Sequence, residues 1–76
     1  MELINHIEIN PKVMMEKPVI KGTRITVEII LEKLSHGLTF SDILETYPNL
    51  TEEKIKSALA YAAESLKGDA IYPVAV

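Results

Sequence analysis

Apolar and polar positions follow two rhythms along this chain. From Asn5 to Asn10 they alternate, with Ile7 and Ile9 on one side and His6 and Glu8 on the other. That two-residue period predicts a half-buried strand, which Pro11 ends. Pro18-Val19-Ile20-Lys21 predicts a second short strand, with Pro18 at its start, where a missing N–H costs the ladder least. Residues 12–17 become the hairpin loop, and Gly22 a turn that needs an unhindered backbone.

After Thr26 the period lengthens to that of a helix. Val27, Ile30, Leu31 and Leu34 share one face, Thr26 is a suitable N-cap, and Gly37 is the stop. Glu28 sits in the first turn, and Lys33 and His36 lie near the negative end of the dipole. A shorter helix is predicted over about Phe40 to Tyr47, with Phe40, Ile43, Leu44 and Tyr47 inward. Thr39 or Ser41 caps it, Asp42 occupies the capping-box position, and Pro48 ends it. A third, longest helix starts after Thr51, with Ile55, Ala58, Leu59, Ala62 and Leu66 inward and Gly68 at its end. Short connections force neighbouring helices to pack on one another. The fold expected is mainly α: a short N-terminal β-hairpin (1–25), a three-helix, helix-turn-helix core (26–68), and an apolar tail (69–76).

Length adds a constraint. Seventy-six residues make one domain, and a chain of that size buries only roughly 60% of its unfolded surface. With no cysteine, disulfides and thiolate metal sites are both excluded, which leaves association as the most economical further stabiliser. A homodimer is one such expectation. The N-terminus has neither a basic region nor an apolar run of signal-peptide length, and no stretch is long enough to span a bilayer, so a cytoplasmic location is expected.

The net charge of −3 argues against indiscriminate nucleic-acid binding. Its distribution is uneven. Residues 12–24 hold Lys12, Lys17, Lys21 and Arg24 against Glu16, whereas residues 25–76 hold four lysines against eight acids. Contact with phosphate is therefore expected from the hairpin, and contact with a basic partner from the helices.

Candidate chemistry is sparse. His6 and His36 have no partner at metal-ligand spacing, and the paired acids Glu28/Glu32 and Glu52/Glu53 suit solvated helix faces and first turns. No phosphate loop, nucleophile elbow or zinc-protease motif occurs. Neither an enzyme nor a cofactor is expected. Lys21-Gly22-Thr23-Arg24-Ile25 admits two readings. It is either an anion cradle on backbone N–H groups, or a plain turn tied by the Thr23 hydroxyl with Arg24 paired to a helix carboxylate. The third helix, as a DNA reader, would lead with Glu52, Glu53, Lys54, Lys56 and Ser57. Two acids first, and no arginine or asparagine for bidentate base contacts, fit that role poorly. The tail Ala70-Ile71-Tyr72-Pro73-Val74-Ala75-Val76 needs burial, either on this chain's own core or in a partner.

Taken in order, Lys17-Pro18-Val19-Ile20-Lys21-Gly22-Thr23-Arg24-Ile25, then Gly37, Ile43-Leu44, Tyr47-Pro48-Asn49-Leu50-Thr51 and Ala58-Leu59-Ala60-Tyr61-Ala62-Ala63 resemble the domain of unknown function family 433. The likeness covers essentially the whole chain. It implies a homeodomain-like fold and a prokaryotic source. It further implies an antitoxin of a type II toxin–antitoxin pair that silences a ribonuclease with a PIN-like fold, and which also binds its operator DNA in some members. The family brings no catalytic residues. Glu16 stands where the family favours glycine, and Thr26 where it favours proline.

On this reading Ile71, Tyr72 and Val74 anchor the partner protein, and Glu52 and Glu53 steer it. The alternative is a DNA-binding regulator using Lys17, Lys21 and Arg24 on phosphate, with Lys54 and Lys56 at the third helix. A structural homodimer is a further alternative.

Overall fold

A computed structural model describes residues 5–9 and 17–67. Its element order is β1 (Ile7–Ile9), β2 (Pro18–Ile20), α1 (Val27–Ser35), α2 (Phe40–Thr46) and α3 (Glu52–Lys67). The two strands pair antiparallel within the chain, with Ile7 opposite Ile20, Glu8 opposite Val19 and Ile9 opposite Pro18. On its other side β2 is bridged by Thr26 through Val19. The hairpin is thereby tied directly to the start of α1.

Each helix begins and ends for a local reason. Thr26 is extended (φ −79°, ψ 153°), and its Oγ1 accepts the Ile29 N–H at 3.1 Å, satisfying one of the donors a helix start leaves free. At the other end Gly37 adopts φ +91°. The Leu38 N–H reaches the Lys33 carbonyl at 3.2 Å, and the Gly37 N–H reaches that of Leu34 at 3.0 Å. This is the Schellman pair of bonds, and it needs a left-handed residue where the glycine stands. α2 is closed by a reciprocal box: Thr39 Oγ1 accepts the Asp42 N–H at 3.1 Å, and Asp42 Oδ2 accepts the Thr39 N–H at 2.9 Å. Thr51 Oγ1 takes the Lys54 N–H at 3.2 Å to start α3.

Ile20, Val27, Ile30, Ile43, Leu50, Ile55 and Ala58 form one buried cluster drawn from the hairpin and all three helices. Burying each such isoleucine favours folding by about 1.5–3 kcal/mol. Ser57 is the polar residue of α3 buried with them, and its hydroxyl donates to the Glu53 carbonyl at 3.0 Å.

Two expectations need correction. The first strand starts at Ile7 rather than at Asn5, because Asn5 and His6 lie in a 3-10 turn, and its expected end at Asn10 lies outside the described residues. Ile9 is 52% exposed although it shares a face with half-buried Ile7. The alternation is real, but on the face that Ile7 and Ile9 share, the core covers the ladder only at its Ile7–Ile20 end. Leu66, expected inward, is 58% exposed. Sixteen residues of α3 span about 24 Å and nine of α1 about 13 Å, so the last turn of α3 overhangs its neighbour. Residues 10–16, with the loop and Glu16, and residues 68–76, with the tail, lie outside the described residues.

Candidate functional site

The overhang of α3 and the open end of the hairpin leave an apolar groove beside the core. Pro18, Val27, Leu31, Tyr61, Ala62 and Leu66 line it, and its volume is about 340 Å³. Glu28 and Ser65 form its polar margin. The groove follows from helical periodicity. Val27 and Leu31 share a stripe of α1, and Tyr61, Ala62 and Leu66 share one of α3; each stripe runs past the end of the buried cluster. Exposed Ile9, paired with Pro18, adds apolar surface next to Pro18. Composition alone gave no sign of this groove. The signal was present in the length difference between the first and third helices.

The start of α3 presents a different surface. Glu52 and Glu53 project from the first turn with side chains 61% and 68% exposed. Glu52 pairs with Lys56 one turn on, at 3.3 Å. Glu53 Oε1 lies 3.4 Å from His6 Nε2, which ties the N-terminal turn to α3. The two acids expected to steer a partner therefore sit together on an open face. Ile71, Tyr72 and Val74, expected to anchor it, lie outside the described residues.

The basic candidates are dispersed. Lys17 pairs with Glu28 at 2.9 Å and Lys56 with Glu52. Lys17 thus holds Glu28 of α1, and Arg24, expected to pair with a helix carboxylate, is exposed like Lys21, with no ion pair among the described residues. Lys54 follows Glu53 directly on α3. No single face gathers all five cations clear of acids.

At the Lys21-Gly22 turn the polar groups bond within the chain. The Thr23 N–H donates to the Ile20 carbonyl at 3.0 Å with Gly22 at φ +79°, the positive φ of a type II turn. Thr23 Oγ1 donates to the same carbonyl at 2.7 Å and accepts the Ile25 N–H at 3.0 Å. The Gly22 N–H, which an anion cradle would use, faces Glu8 Oε1 at 3.3 Å. A carboxylate of this chain already stands where an outside anion would bind.

Among the described residues no group of three or more His, Cys, Asp or Glu side chains is placed to hold a metal. Nor is any described helix long and apolar enough to cross a membrane.

A sequence model of the family described as protein of unknown function (DUF433) matches residues 7–62. The chain belongs to that family. A crystal structure of a DUF433 member protein from Anabaena variabilis is similar to it, at 30% identity and TM-score 0.79, over 88% of this chain and 66% of that one. The protein y4eO of Sinorhizobium fredii is 35% identical over 60 residues, which is 78% of this chain. This DUF433 chain spans only 27% of y4eO. The match to the crystal structure agrees with the hairpin and three helices described above.

Proposed function

We propose that this DUF433 chain is a protein-binding module, the antitoxin of a type II toxin–antitoxin pair, which covers the active site of a PIN-like ribonuclease. The observation that carries the reading is the open acidic start of α3, Glu52 and Glu53. In a helix-turn-helix protein that turn faces base edges, and here it presents carboxylates where DNA would present phosphates. A ribonuclease surface that holds RNA is basic, and an acidic inhibitor is drawn to it. Ile71, Tyr72 and Val74 then supply the apolar anchor, and occlusion of the nuclease site is the mechanism. The family resemblance supplies the partner class.

The test is inhibition of a PIN-like nuclease encoded beside this chain, assayed on RNA with the purified pair. Tight inhibition that weakens with Glu52→Gln and Glu53→Gln, and is lost on deleting residues 69–76, supports the proposal. Full nuclease activity in the presence of excess chain overturns it. The competing reading, an autoregulatory DNA binder, rests on exposed Lys21 and Arg24. A gel shift with the chain's own promoter examines it directly.

A further inference from the structure

His6 and Glu53 stand 47 positions apart in the sequence and meet in the fold. The hairpin fixes the histidine by its backbone. Its carbonyl accepts the Lys21 N–H at 2.7 Å, and the ladder begins at the next residue, with Ile7 opposite Ile20. The imidazole then reaches the first turn of α3, where Nε2 lies 3.4 Å from Glu53 Oε1. The histidine is the more sheltered of the two, its side chain 35% exposed. Other charges nearby are occupied or lie to the side. Glu52 is paired with Lys56, and Lys54 follows Glu53 along α3. On the hairpin, Glu8 Oε1 accepts the Gly22 N–H, and Lys21 is exposed. The other histidine, His36, stands beside Glu32, Lys33 and Tyr47. The two acids of the α3 start are therefore unlike. Glu52 faces a lysine, whereas Glu53 faces a residue of the type whose charge changes between about pH 5 and pH 8.

We infer that His6 is a proton-operated cover on the acidic start of α3. With the imidazole neutral, the Glu53 carboxylate keeps its charge toward solvent and attracts a basic partner. With the imidazole protonated, that charge is cancelled where it stands. This rests on the reading of the acidic turn as the partner's docking face, and it adds what regulates that face. The chemistry is one proton taken from solvent by the ring. In the imidazolium both ring nitrogens carry hydrogen, so Nε2 donates to Oε1 whichever tautomer the neutral ring holds. The backbone bond from Lys21 keeps the ring in place through the change, so the response needs no rearrangement of the fold. A unit charge a few ångströms from a carboxylate in water changes a charge-steered affinity by up to about fivefold, and salt screens the effect.

The test is nuclear magnetic resonance on the full, isotope-labelled chain at low salt, first alone and then with decalysine, a peptide that offers a basic surface. Alone, the Glu53 and Lys54 amide signals should move in step with the His6 ring signals between about pH 8 and about pH 5.5, and His6→Gln should abolish the movement. With decalysine, binding read at Glu52, Glu53 and Lys54 should weaken by up to about fivefold over the same range, again only while His6 is present. Glutamine keeps an N–H donor and cannot gain charge, so it separates the charge from the contact. Amides that do not follow the ring overturn the inference. So does a peptide affinity that is flat with pH, or one that falls equally in His6→Gln. The nuclease assay is a separate arm: a chain that inhibits no nuclease at any pH sinks the proposed function, while the peptide response decides the cover.

Discussion

Thr26 is the joint on which the hairpin and α1 both depend, and replacing it by valine isolates what its hydroxyl does. The side chain is 2% exposed, and its backbone bridges Val19. Valine keeps the volume and the β-branch but removes the acceptor for the Ile29 N–H, now bonded at 3.1 Å. Loss of such a cap costs about 1 kcal/mol, and a partly buried N–H left without a partner costs about 1–3 kcal/mol. We expect Thr26→Val to lower stability by about 1–2 kcal/mol. For a domain of this length each kcal/mol moves the midpoint by about 4–8 °C, so thermal unfolding followed by circular dichroism should shift down by about 4–16 °C. Thr26→Ser keeps the acceptor and loses a buried methyl, for which about 0.8 kcal/mol is expected. A valine variant as stable as the parent would refute the capping argument. It would mean that the bridge to Val19 alone fixes the start of α1. Because α1 carries Val27 and Leu31, the same variant should also loosen the groove.

Three further outcomes follow from single contacts. Gly37→Ala should cost about 1–2 kcal/mol in urea unfolding, because φ is +91° there. A Cβ at that position meets no atom within 4 Å, so the loss is purely conformational. Ile55→Ala should cost about 2–5 kcal/mol, since the side chain is wholly buried among Ile20, Ile30 and Ile43; urea denaturation of so small a domain should show a sharply lowered midpoint. Glu52→Gln with Glu53→Gln should slow association with a basic nuclease at low salt, by surface plasmon resonance, and the difference should shrink as salt is raised.

Much of the fold was legible because the signals were local. Thr26, Thr39, Thr51 and Gly37 mark helix ends by chemistry that acts within four residues. The expected helix starts hold, and the first helix ends where expected. The extent of burial was less legible. Ile9 and Leu66 each occupy the right phase of their element, yet both are exposed, since phase says which side faces the core and not how far the core reaches. The groove arises from that shortfall, a tertiary property set by the relative lengths of α1 and α3. Charge pairing was likewise out of reach. Glu28 is held by Lys17, eleven residues away in sequence, while Arg24 finds no helix carboxylate among the described residues, and Glu53 meets His6 from the far end of the chain.

Those pairings bear on whether this chain binds DNA, through a quantity that titration reads directly. A helix N-terminus attracts anions, but in α3 that position already holds Glu52 and Glu53, so a phosphate arriving there meets two carboxylates. Of the five candidate cations, Lys17 and Lys56 are paired with Glu28 and Glu52. That leaves Lys21, Arg24 and Lys54, which have no ion pair among the described residues. Each phosphate contact contributes about −0.9 to the slope of log K against log salt, so these three cations give about −2.7, and all five would give about −4.5. Anisotropy of a fluorescent promoter duplex between low and moderate salt measures the slope. A value near −2.7 or shallower, with no preference for the promoter over unrelated duplex, fits weak contact by the hairpin turn and leaves the helices to a protein partner. A slope near −4.5 with promoter preference would mean that both ion pairs open on DNA. The acidic start of α3 would then no longer argue for a protein partner.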